Sequence, residues 1–306
     1  MTTNKNNYLS MNNGKKIPVI GFGTWKSPKN VVGESIKQAI KAGYRHLDCA
    51  AIYKNEKEVG AALKEVFDSG LIKREELFIT SKLWCTCHSK ENVEKHLKIT
   101  LADLGLDYLD LYLVHWPLAF EYTGECLEIN PVDENGNTKL ARIPMRQTWE
   151  AMEKLVDQGL VRSIGVANCN VQTIIDILSY ARIRPAMNQV ELNPYNTQQR
   201  LKYFCHLNGI QLTAYSPLGH GKLITDKVVC ELAKKYNRSV ANILCRWAIQ
   251  QGFTVIPKSV NPDRIKDNFK VLDFKIDESD MSILNNLNKN LRTCDPDSIF
   301  GVPIFA

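Results

Sequence analysis

The chain lacks several features that would assign it to a specialised class of protein. Its 306 residues include no apolar stretch long enough to span a bilayer and no run of five like charges. Basic residues outnumber acidic ones by only 39 to 33, which gives a net charge of +6. We therefore expect neither a membrane nor a nucleic acid as a partner. A modest positive field still favours an anionic ligand, such as a phosphorylated cofactor.

Glycine-rich nucleotide-binding motifs are also missing. Gly21-Phe22-Gly23 is the nearest match to a dinucleotide fingerprint, but Thr24-Trp25 follows where a third glycine and a helix are required. No phosphate-binding loop of the P-loop type occurs. The sequence therefore disfavours a Rossmann domain.

Cysteines are scattered along the chain and do not form a recognisable framework. There are nine, an odd number, and the polar first residues have no apolar core of a signal peptide. We therefore expect reduced thiols and a cytoplasmic protein. The one tight cluster, at residues 85–88 (CTCH), has no second ligand pair at zinc-site spacing, so we expect no metal.

Eight apolar, strand-like segments alternate with stretches of helical periodicity. The segments lie near 17–22, 44–49, 77–82, 109–115, 161–167, 186–190, 210–215 and 253–257. The helical stretches often end in glycine; the one after the third segment begins with Ser89 as N-cap and ends at Gly105. Alternation of this kind implies a parallel sheet with right-handed crossovers. Eight units in about 250 residues predict an α/β fold, a (β/α)8 barrel, as one domain over residues 1–306. An open doubly wound sheet is the alternative.

Two segments break this rhythm. Residues 116–145 form an insertion after the fourth predicted strand, too long for a plain connecting loop, and residues 289–306 form an apolar tail. We expect both to lie over the face that carries the C-terminal ends of the strands, where loops determine specificity. The tail's expected contribution is an apolar wall made of Ile299, Phe300, Ile304 and Phe305.

Four polar residues each follow an apolar strand-like run: Asp48, Tyr53, Lys82 and His115. A parallel α/β barrel keeps its chemistry at these strand ends. A lysine beside a tyrosine phenol favours the phenolate, an aspartate can hold that lysine charged, and a histidine can orient a substrate oxygen. The set therefore describes a proton donor for a carbonyl that becomes an alcohol. Each residue alone also has a structural explanation, such as packing or capping, but their coincidence favours chemistry.

Longer motifs resemble those of the aldo-keto reductases, most closely the aldose and aldehyde reductase branch. They are GYRHLDCAAIYKNEKEVG (43–60), LFITSKLW (77–84), LYLVHWP (111–117), MNQVELNPY (187–195), AYSPLG (214–219) and VIPKSVNPDRIKDNFKVLDF (255–274). The resemblance covers nearly the whole chain. It implies a (β/α)8 barrel that binds NADPH and reduces aldehydes or activated ketones, such as aldoses and short-chain or aromatic aldehydes, with Tyr53 as proton donor. It also implies a small-molecule carbonyl substrate, and we expect a monomer.

The resemblance assigns roles position by position. The implied catalytic residues are Asp48, Tyr53, Lys82 and His115. The implied cofactor contacts are Gly23, Thr24, Trp25, Asp48, Asn168, Gln189, Tyr215, Ser216, Pro217, Leu218, Lys258, Ser259, Val260, Arg264, Asp267 and Asn268. The implied substrate contacts are Trp25, Ile52, Trp84, His115, Trp116 and Cys294. Within the cofactor set, Asn168 and Gln189 are implied for the nicotinamide carboxamide, and Lys258, Ser259 and Arg264 for the 2′-phosphate.

Some positions depart from the family pattern. Ala167 stands where serine is common, which removes one hydrogen bond to the nicotinamide, and Asp267 replaces a longer glutamate. The 219–226 loop is shorter than in many relatives, so we expect looser closure over the cofactor. Two other functions stay open: an isomerase or lyase on the same barrel, and a binding protein without turnover. The first would need a glutamate base or a Schiff-base lysine, and the intact set of four polar residues argues against the second.

Overall fold

A computed structural model describes residues 7–305 of the chain. Its strands are β1 (Tyr8–Ser10), β2 (Lys16–Pro18), β3 (Phe22–Gly23), β4 (His46–Asp48), β5 (Phe78–Leu83), β6 (Leu111–Val114), β7 (Ile164–Ala167), β8 (Met187–Glu191), β9 (Gln211–Tyr215) and β10 (Thr254–Val255). Its α-helices are α1 (Val32–Ala42), α2 (Glu56–Asp68), α3 (Lys90–Leu104), α4 (Met145–Asp157), α5 (Val171–Tyr180), α6 (Gln199–Leu207), α7 (Lys227–Tyr236), α8 (Val240–Gln250), α9 (Pro262–Phe269), α10 (Glu278–Asn285) and α11 (Pro296–Phe300). Within this part of the chain, no helix is both long and apolar enough to cross a membrane.

Strands β3 to β10 form one sheet in which the order of the strands is their order in the chain. The first and last strands also meet, because Ile20 and Val255 form a parallel bridge and the Gly21 amide donates to the Val255 carbonyl at 2.8 Å. A parallel sheet whose first and last strands are hydrogen-bonded has the connectivity of a (β/α)8 barrel. The predicted fold class is therefore confirmed.

The first predicted strand, 17–22, is wrong as a single element. Lys16–Pro18 pairs antiparallel with β1 in a hairpin, and only Phe22–Gly23 belongs to the eight-stranded sheet. The change of partner precedes Gly21, because the Val19 carbonyl already accepts the Val255 amide at 2.9 Å and Ile20 bridges Val255. At Gly21 itself a Cβ atom would lie 2.4 Å from Nδ1 of His46, so glycine allows the close approach to that side chain. The other seven predicted strands overlap those observed.

The described residues divide into two compact units, each built from separate stretches of the chain. The first unit comprises the residues up to Asp48 together with Gln189–Thr293, and the second comprises Cys49–Asn188 together with the residues from Cys294 onward. In the first unit, the Tyr44 ring packs between Phe22 and Phe269, with ring centroids 5.8 and 4.9 Å away. A single domain stays a prediction.

The insertion and the tail pack together in the second unit. Antiparallel bridges join Phe120 to Leu140 and Val132 to Thr138, so the insertion has a hairpin-like frame. The Thr138 hydroxyl donates to the Phe300 carbonyl at 2.5 Å. Side chains of both segments belong to one cluster, which we call the apolar cluster. Its buried members are Trp84, Cys85, Trp116, Leu118, Phe120 and Phe300, and Ile52, Cys294, Val302, Ile304 and Phe305 pack against them. Ile299 is exposed, because α11 turns it away while burying Phe300.

Helices α2 and α3 cross closely at Gly60. A Cβ atom at this position would lie 2.2 Å from the Asp103 carbonyl oxygen and 2.8 Å from the carbonyl carbon of Leu104. Both atoms belong to the backbone of α3 and cannot rotate aside. The crossing therefore depends on glycine inside a helix, where alanine is normally favoured by about 1 kcal/mol.

Gly60→Ala is expected to lower the free energy of unfolding by about 1–3 kcal/mol, because the added methyl group forces the two helices apart. Urea unfolding followed by circular dichroism measures the change. Ala61→Ser, at the exposed neighbouring position, serves as the control and is expected to stay within about 0.5 kcal/mol of the wild type. A Gly60→Ala variant as stable as the wild type would contradict the close crossing.

Candidate active site

Lys82 places a buried ammonium group in the second unit. Its Nζ atom donates to the Cys49 carbonyl at 2.8 Å and lies 3.4 Å from the Tyr53 hydroxyl. Only 1% of the lysine is exposed, so neighbouring polar atoms replace water around its charge. An ammonium this close to a phenol stabilises the phenolate, which is what a tyrosine proton donor requires.

Tyr53 reaches Lys82 because the chain turns sharply after β4. Residues Ala51–Tyr53 form a single 3-10 turn in which the Tyr53 amide donates to the Ala50 carbonyl at 3.0 Å. Lys54 ends the turn in the left-handed region, with φ of 56°. The turn thus carries the phenol of a residue outside the sheet back towards the buried lysine on β5.

His115 follows β6, and its ring packs against two aromatic rings. The ring centroids of Tyr53 and Trp84 lie 5.9 and 5.2 Å away, both edge-on. Burial lowers the pKa of His115 well below its ordinary value of 6.5, and the positive charge of Lys82 lowers it further. The imidazole is therefore neutral at neutral pH and can donate an N–H to an oxygen. Among the described residues its Nδ1 atom, which is buried, has no hydrogen-bond partner.

Asp48 lies in the first unit, where two residues predicted to touch the cofactor hold it. The Gln189 amide donates from Nε2 to its Oδ2 atom at 2.7 Å. Thr24 donates to its main-chain carbonyl twice, from the amide at 3.1 Å and from Oγ1 at 2.8 Å. In this structure Thr24 and Gln189 therefore position Asp48, a role that sequence reasoning missed because it joins residues far apart in the chain.

Two predicted cofactor residues have left-handed backbone conformations. Asn168 has φ of 60° and donates from Nδ2 to the His115 carbonyl at 2.9 Å, within the second unit. Ser216 has φ of 45°, and its carbonyl accepts from Nδ2 of Asn193 at 3.2 Å, within the first unit. Such strained residues cluster at functional sites. Around Ser216, Tyr215 ends β9, Pro217 is buried and Leu218 begins the turn at Gly219–Gly221.

The predicted phosphate-binding residues lie around the start of α9, in the first unit. Nζ of Lys258 donates to the Lys26 carbonyl at 3.0 Å, and burial lowers the pKa of Lys258. The Oδ1 atom of Asn261 caps α9 by accepting the amides of residues 263 and 264, each at 3.0 Å. Within residues 7–305, the exposed guanidinium of Arg264 makes no ion pair. These donors suit an anionic group at the positive end of a helix.

The remaining predicted cofactor positions surround these groups in the first unit. Gly23 allows close packing, because a Cβ there would lie 3.1 Å from the Ile256 carbonyl. Val260 is exposed and Asn268 is buried. Asp267 is half-buried, and its main-chain carbonyl accepts from Nδ2 of Asn242 at 2.8 Å.

The predicted substrate residues of the second unit are brought together by the apolar cluster. Trp84 and Trp116 are buried there, with Ile52 and Cys294 packed against them. The Trp84 indole donates to the Glu128 carbonyl of the insertion at 2.7 Å. Trp25 belongs to the first unit, where its partly exposed ring lies 5.5 Å from the His220 ring.

The cysteines near Trp84 do not form a metal centre within the described residues, which contain no group of three or more potential ligands. Cys85 and Cys87 are free and buried, and burial raises the pKa of both thiols. A metal ligand must be a thiolate, so buried thiols of this kind are inert.

One buried carboxyl escaped sequence reasoning. Glu56, at the start of α2, accepts from the Ser81 hydroxyl at 2.6 Å, and Ser81 directly precedes Lys82 on β5. Burial raises the pKa of Glu56 from 4.5 to about 7, although the Ser81 hydrogen bond opposes the rise. An acidic residue in the first turn of a helix is common on protein surfaces, so the sequence offers no sign that this one is buried.

Comparison with known proteins identifies the family of the chain. The model of the Aldo/keto reductase family matches residues 19–289. The chain is 53% identical to aldose reductase B of Dictyostelium discoideum, with 94% of each chain covered. It is 48% identical to human aldo-keto reductase family 1 member A1, with 94% of this chain and 90% of the human one covered. The structure of the aldose reductase from Schistosoma japonicum superposes with a TM-score of 0.92 at 44% identity, with 96% of each chain covered.

The chain therefore belongs to the aldo/keto reductase family, as its motifs predicted. It is a pyridine-nucleotide-dependent oxidoreductase that acts on small-molecule carbonyl compounds. The four predicted catalytic side chains stay a prediction as a group, since none of these comparisons addresses single residues.

Glu56 makes stability depend on pH. An acid whose pKa is raised by burial binds its proton more tightly in the folded state, so its contribution is complete below about pH 4.5 and is lost as the pH rises through about 7. At 1.36 kcal/mol per pH unit, that loss amounts to about 3 kcal/mol. Urea unfolding from about pH 5 to about pH 8 measures it.

Glu56→Gln is expected to flatten this decline, because glutamine keeps an acceptor for Ser81 and cannot ionise. Glu75→Gln, at an exposed position, should leave the decline as in the wild type. If Glu56→Gln loses stability with rising pH as steeply as the wild type, Glu56 is not the group that titrates.

Proposed function

We propose that the protein is an NADPH-dependent reductase that converts aldehydes or activated ketones to alcohols, with Tyr53 as the proton donor. The observation that carries the proposal is the 3.4 Å distance from the Lys82 ammonium to the Tyr53 hydroxyl, beside a neutral His115. A phenol, a stabilising cation and a neutral N–H donor form a set suited to an oxygen that gains negative charge. Relatives named aldose reductase support the same chemistry.

The proton chemistry follows from these contacts. When bound, the reduced nicotinamide supplies the hydride. Tyr53 gives its hydroxyl proton to the oxygen that becomes the alcohol, and Lys82 stabilises the phenolate left behind. His115 donates a hydrogen bond to the same oxygen and orients it. Asp48 keeps the role that its motif implies, a fixed negative charge, and Gln189 and Thr24 hold it rigidly.

The residues of the first unit fit NADPH rather than NADH. NADPH differs by a 2′-phosphate, and the cationic groups of Lys258 and Arg264 flank the beginning of α9 together with the Ser259 hydroxyl. A phosphate there would meet charge-assisted donors and the positive end of a helix. Ser216, which has a left-handed backbone conformation, supports binding of the remainder of the cofactor in the same unit.

Substrate choice is proposed to reside in the apolar cluster of the second unit. Trp84, Trp116 and Phe300 offer aromatic surface contributed by the barrel, the insertion and the tail. Such a wall favours aromatic or other apolar aldehydes. We also propose a cytoplasmic protein, in line with nine cysteines that are all free thiols. The monomeric state stays a prediction.

Tyr53→Phe is expected to lower kcat for aldehyde reduction by about 10²–10⁴-fold, because the phenyl ring has no proton to give. Fluorescence titration should find NADPH affinity nearly unchanged. Tyr180→Phe removes a hydroxyl that donates to Asp176 on its own helix, and it should keep wild-type turnover. Wild-type turnover in Tyr53→Phe would mean that another group donates the proton.

NADPH is expected to bind at least about tenfold more tightly than NADH, because each charge-assisted hydrogen bond contributes roughly 1.5–3 kcal/mol. Arg264→Gln should weaken NADPH binding and leave NADH binding unchanged. Lys266→Gln, at an exposed position on the same helix, should alter neither. Equal losses for both cofactors in Arg264→Gln would place the 2′-phosphate elsewhere.

A further inference from the structure

Glu191, the last residue of β8, is a buried carboxylate held by the beginning of the tail. It is 1% exposed. Its two carboxylate oxygens accept the Thr293 amide at 3.0 and 2.9 Å, and the Thr293 hydroxyl also donates to Oε1. Thr293 directly precedes Cys294, with which the tail enters the apolar cluster. This buried carboxylate therefore holds Thr293, the residue of the tail that directly precedes the apolar cluster.

The segment that follows Glu191 strengthens this attachment. We call residues 191–198 the bracket. The main-chain carbonyl of Glu191 accepts from Nε2 of Gln198 at 2.7 Å, and Oε1 of Gln198 accepts from Arg292 at 3.3 Å. The main-chain carbonyl of Tyr195 accepts the amides of Lys289 and Leu291, each at 3.0 Å. The bracket therefore holds the residues before Cys294 by side chains and by backbone.

The same bracket also holds both ends of the 216–226 loop. Nδ2 of Asn193 donates to the Ser216 carbonyl at 3.2 Å, at the first end. The Tyr195 hydroxyl donates to the Asp226 carboxylate at 2.6 Å, at the second end, where Asp226 caps α7. The bracket therefore contacts both the 216–226 loop, which we expect to close over the cofactor, and Thr293 of the tail.

We propose that Glu191 is a positioning residue for substrate binding, because it holds Thr293 and thereby fixes the point from which the rest of the tail continues. The inference rests on the proposed function. A tail held at one point presents one set of apolar side chains to the carbonyl compound. Without the carboxylate, the amide and hydroxyl of Thr293 lose their acceptor. Thr293 and the tail after it are then no longer held in one position. Substrate affinity falls, whereas the proton chemistry of Tyr53 is unaffected.

The kinetic test compares Glu191→Gln and Thr293→Val with Thr293→Ser over a panel of small and bulky aldehydes. Gln keeps one acceptor oxygen and replaces the other with an NH2 group that cannot accept from the Thr293 amide, and Val removes the hydroxyl alone. Both variants should raise KM for bulky aldehydes, by about tenfold for Glu191→Gln, the equivalent of one charge-assisted hydrogen bond. Their kcat and their NADPH affinity should stay near wild type. Thr293→Ser, which keeps the hydroxyl, should restore wild-type KM.

Two controls separate positioning from general damage. Glu153→Gln alters another buried carboxylate that accepts a backbone amide, that of Ile183 at 2.8 Å, and should leave the KM ranking unchanged. The double variant Glu191→Gln/Thr293→Val should raise KM no more than Glu191→Gln alone, because both remove the same contact. Additive effects, or KM rankings unchanged in both single variants, would overturn the inference.

A measurement without turnover distinguishes failure of this inference from failure of the proposed function. Alkylation of Cys294 by iodoacetamide, followed by mass spectrometry, reports the freedom of the tail, with Cys230 on α7 as the internal reference. Glu191→Gln should accelerate alkylation of Cys294 about tenfold relative to Cys230. Acceleration in a protein that does not reduce aldehydes would overturn only the proposed function. Unchanged alkylation in an active enzyme would overturn the positioning role.

Discussion

A buried ammonium group is the constraint on which the rest of the site depends. Removing the charge of Lys82 from water costs several kcal/mol unless polar atoms replace the solvent. The Cys49 carbonyl and the Tyr53 hydroxyl provide two such atoms. The chain turns after β4 so that both oxygen atoms lie next to the ammonium group. The neighbouring His115 remains neutral because its own burial lowers its pKa, and the positive charge of Lys82 lowers that pKa further. The proposed proton donor Tyr53 thus depends on the buried charge of Lys82 beside it.

Strand β5 has buried polar side chains on both of its faces. Neighbouring residues of a strand point to opposite sides, so Lys82 and Ser81 serve different surroundings. All six residues of β5 are buried, and Ser81 binds the carboxyl of Glu56 on α2. The close crossing of α2 and α3 at Gly60 packs the helices behind that carboxyl. Strand β5, which has no solvent-facing side, therefore links the position of Lys82 to the packing of α2 and α3.

Local patterns in the sequence predicted much of this architecture, since periodicity and end signals are local properties. Seven of the eight strands and the boundaries of α3 at Ser89 and Gly105 needed nothing more. The first strand failed because the chain exchanges its partner β1 for Val255 at Val19 and Ile20, and no local pattern reveals a partner that is distant in sequence.

The site residues divide in the same way. The chemical types of Asp48, Tyr53, Lys82 and His115, together with their places after strand-like segments, pointed to carbonyl chemistry. The sequence did not reveal the residues that hold Asp48 and the tail. The contact of Gln189 with Asp48 spans 141 residues, and that of Glu191 with Thr293 spans 102. Hydrogen bonds over such separations leave no periodic trace in the chain. Motifs thus identify reacting groups more readily than they identify the groups that hold them.

The hydrogen bond from Thr138 to Phe300 has an evolutionary and practical consequence. It joins the insertion to the tail, and both contribute side chains to one aromatic cluster. Change in either segment alone leaves an unmatched surface, so the two are expected to vary together among homologues. Attempts to transplant a new substrate preference into this barrel would have to exchange both segments as a single cassette.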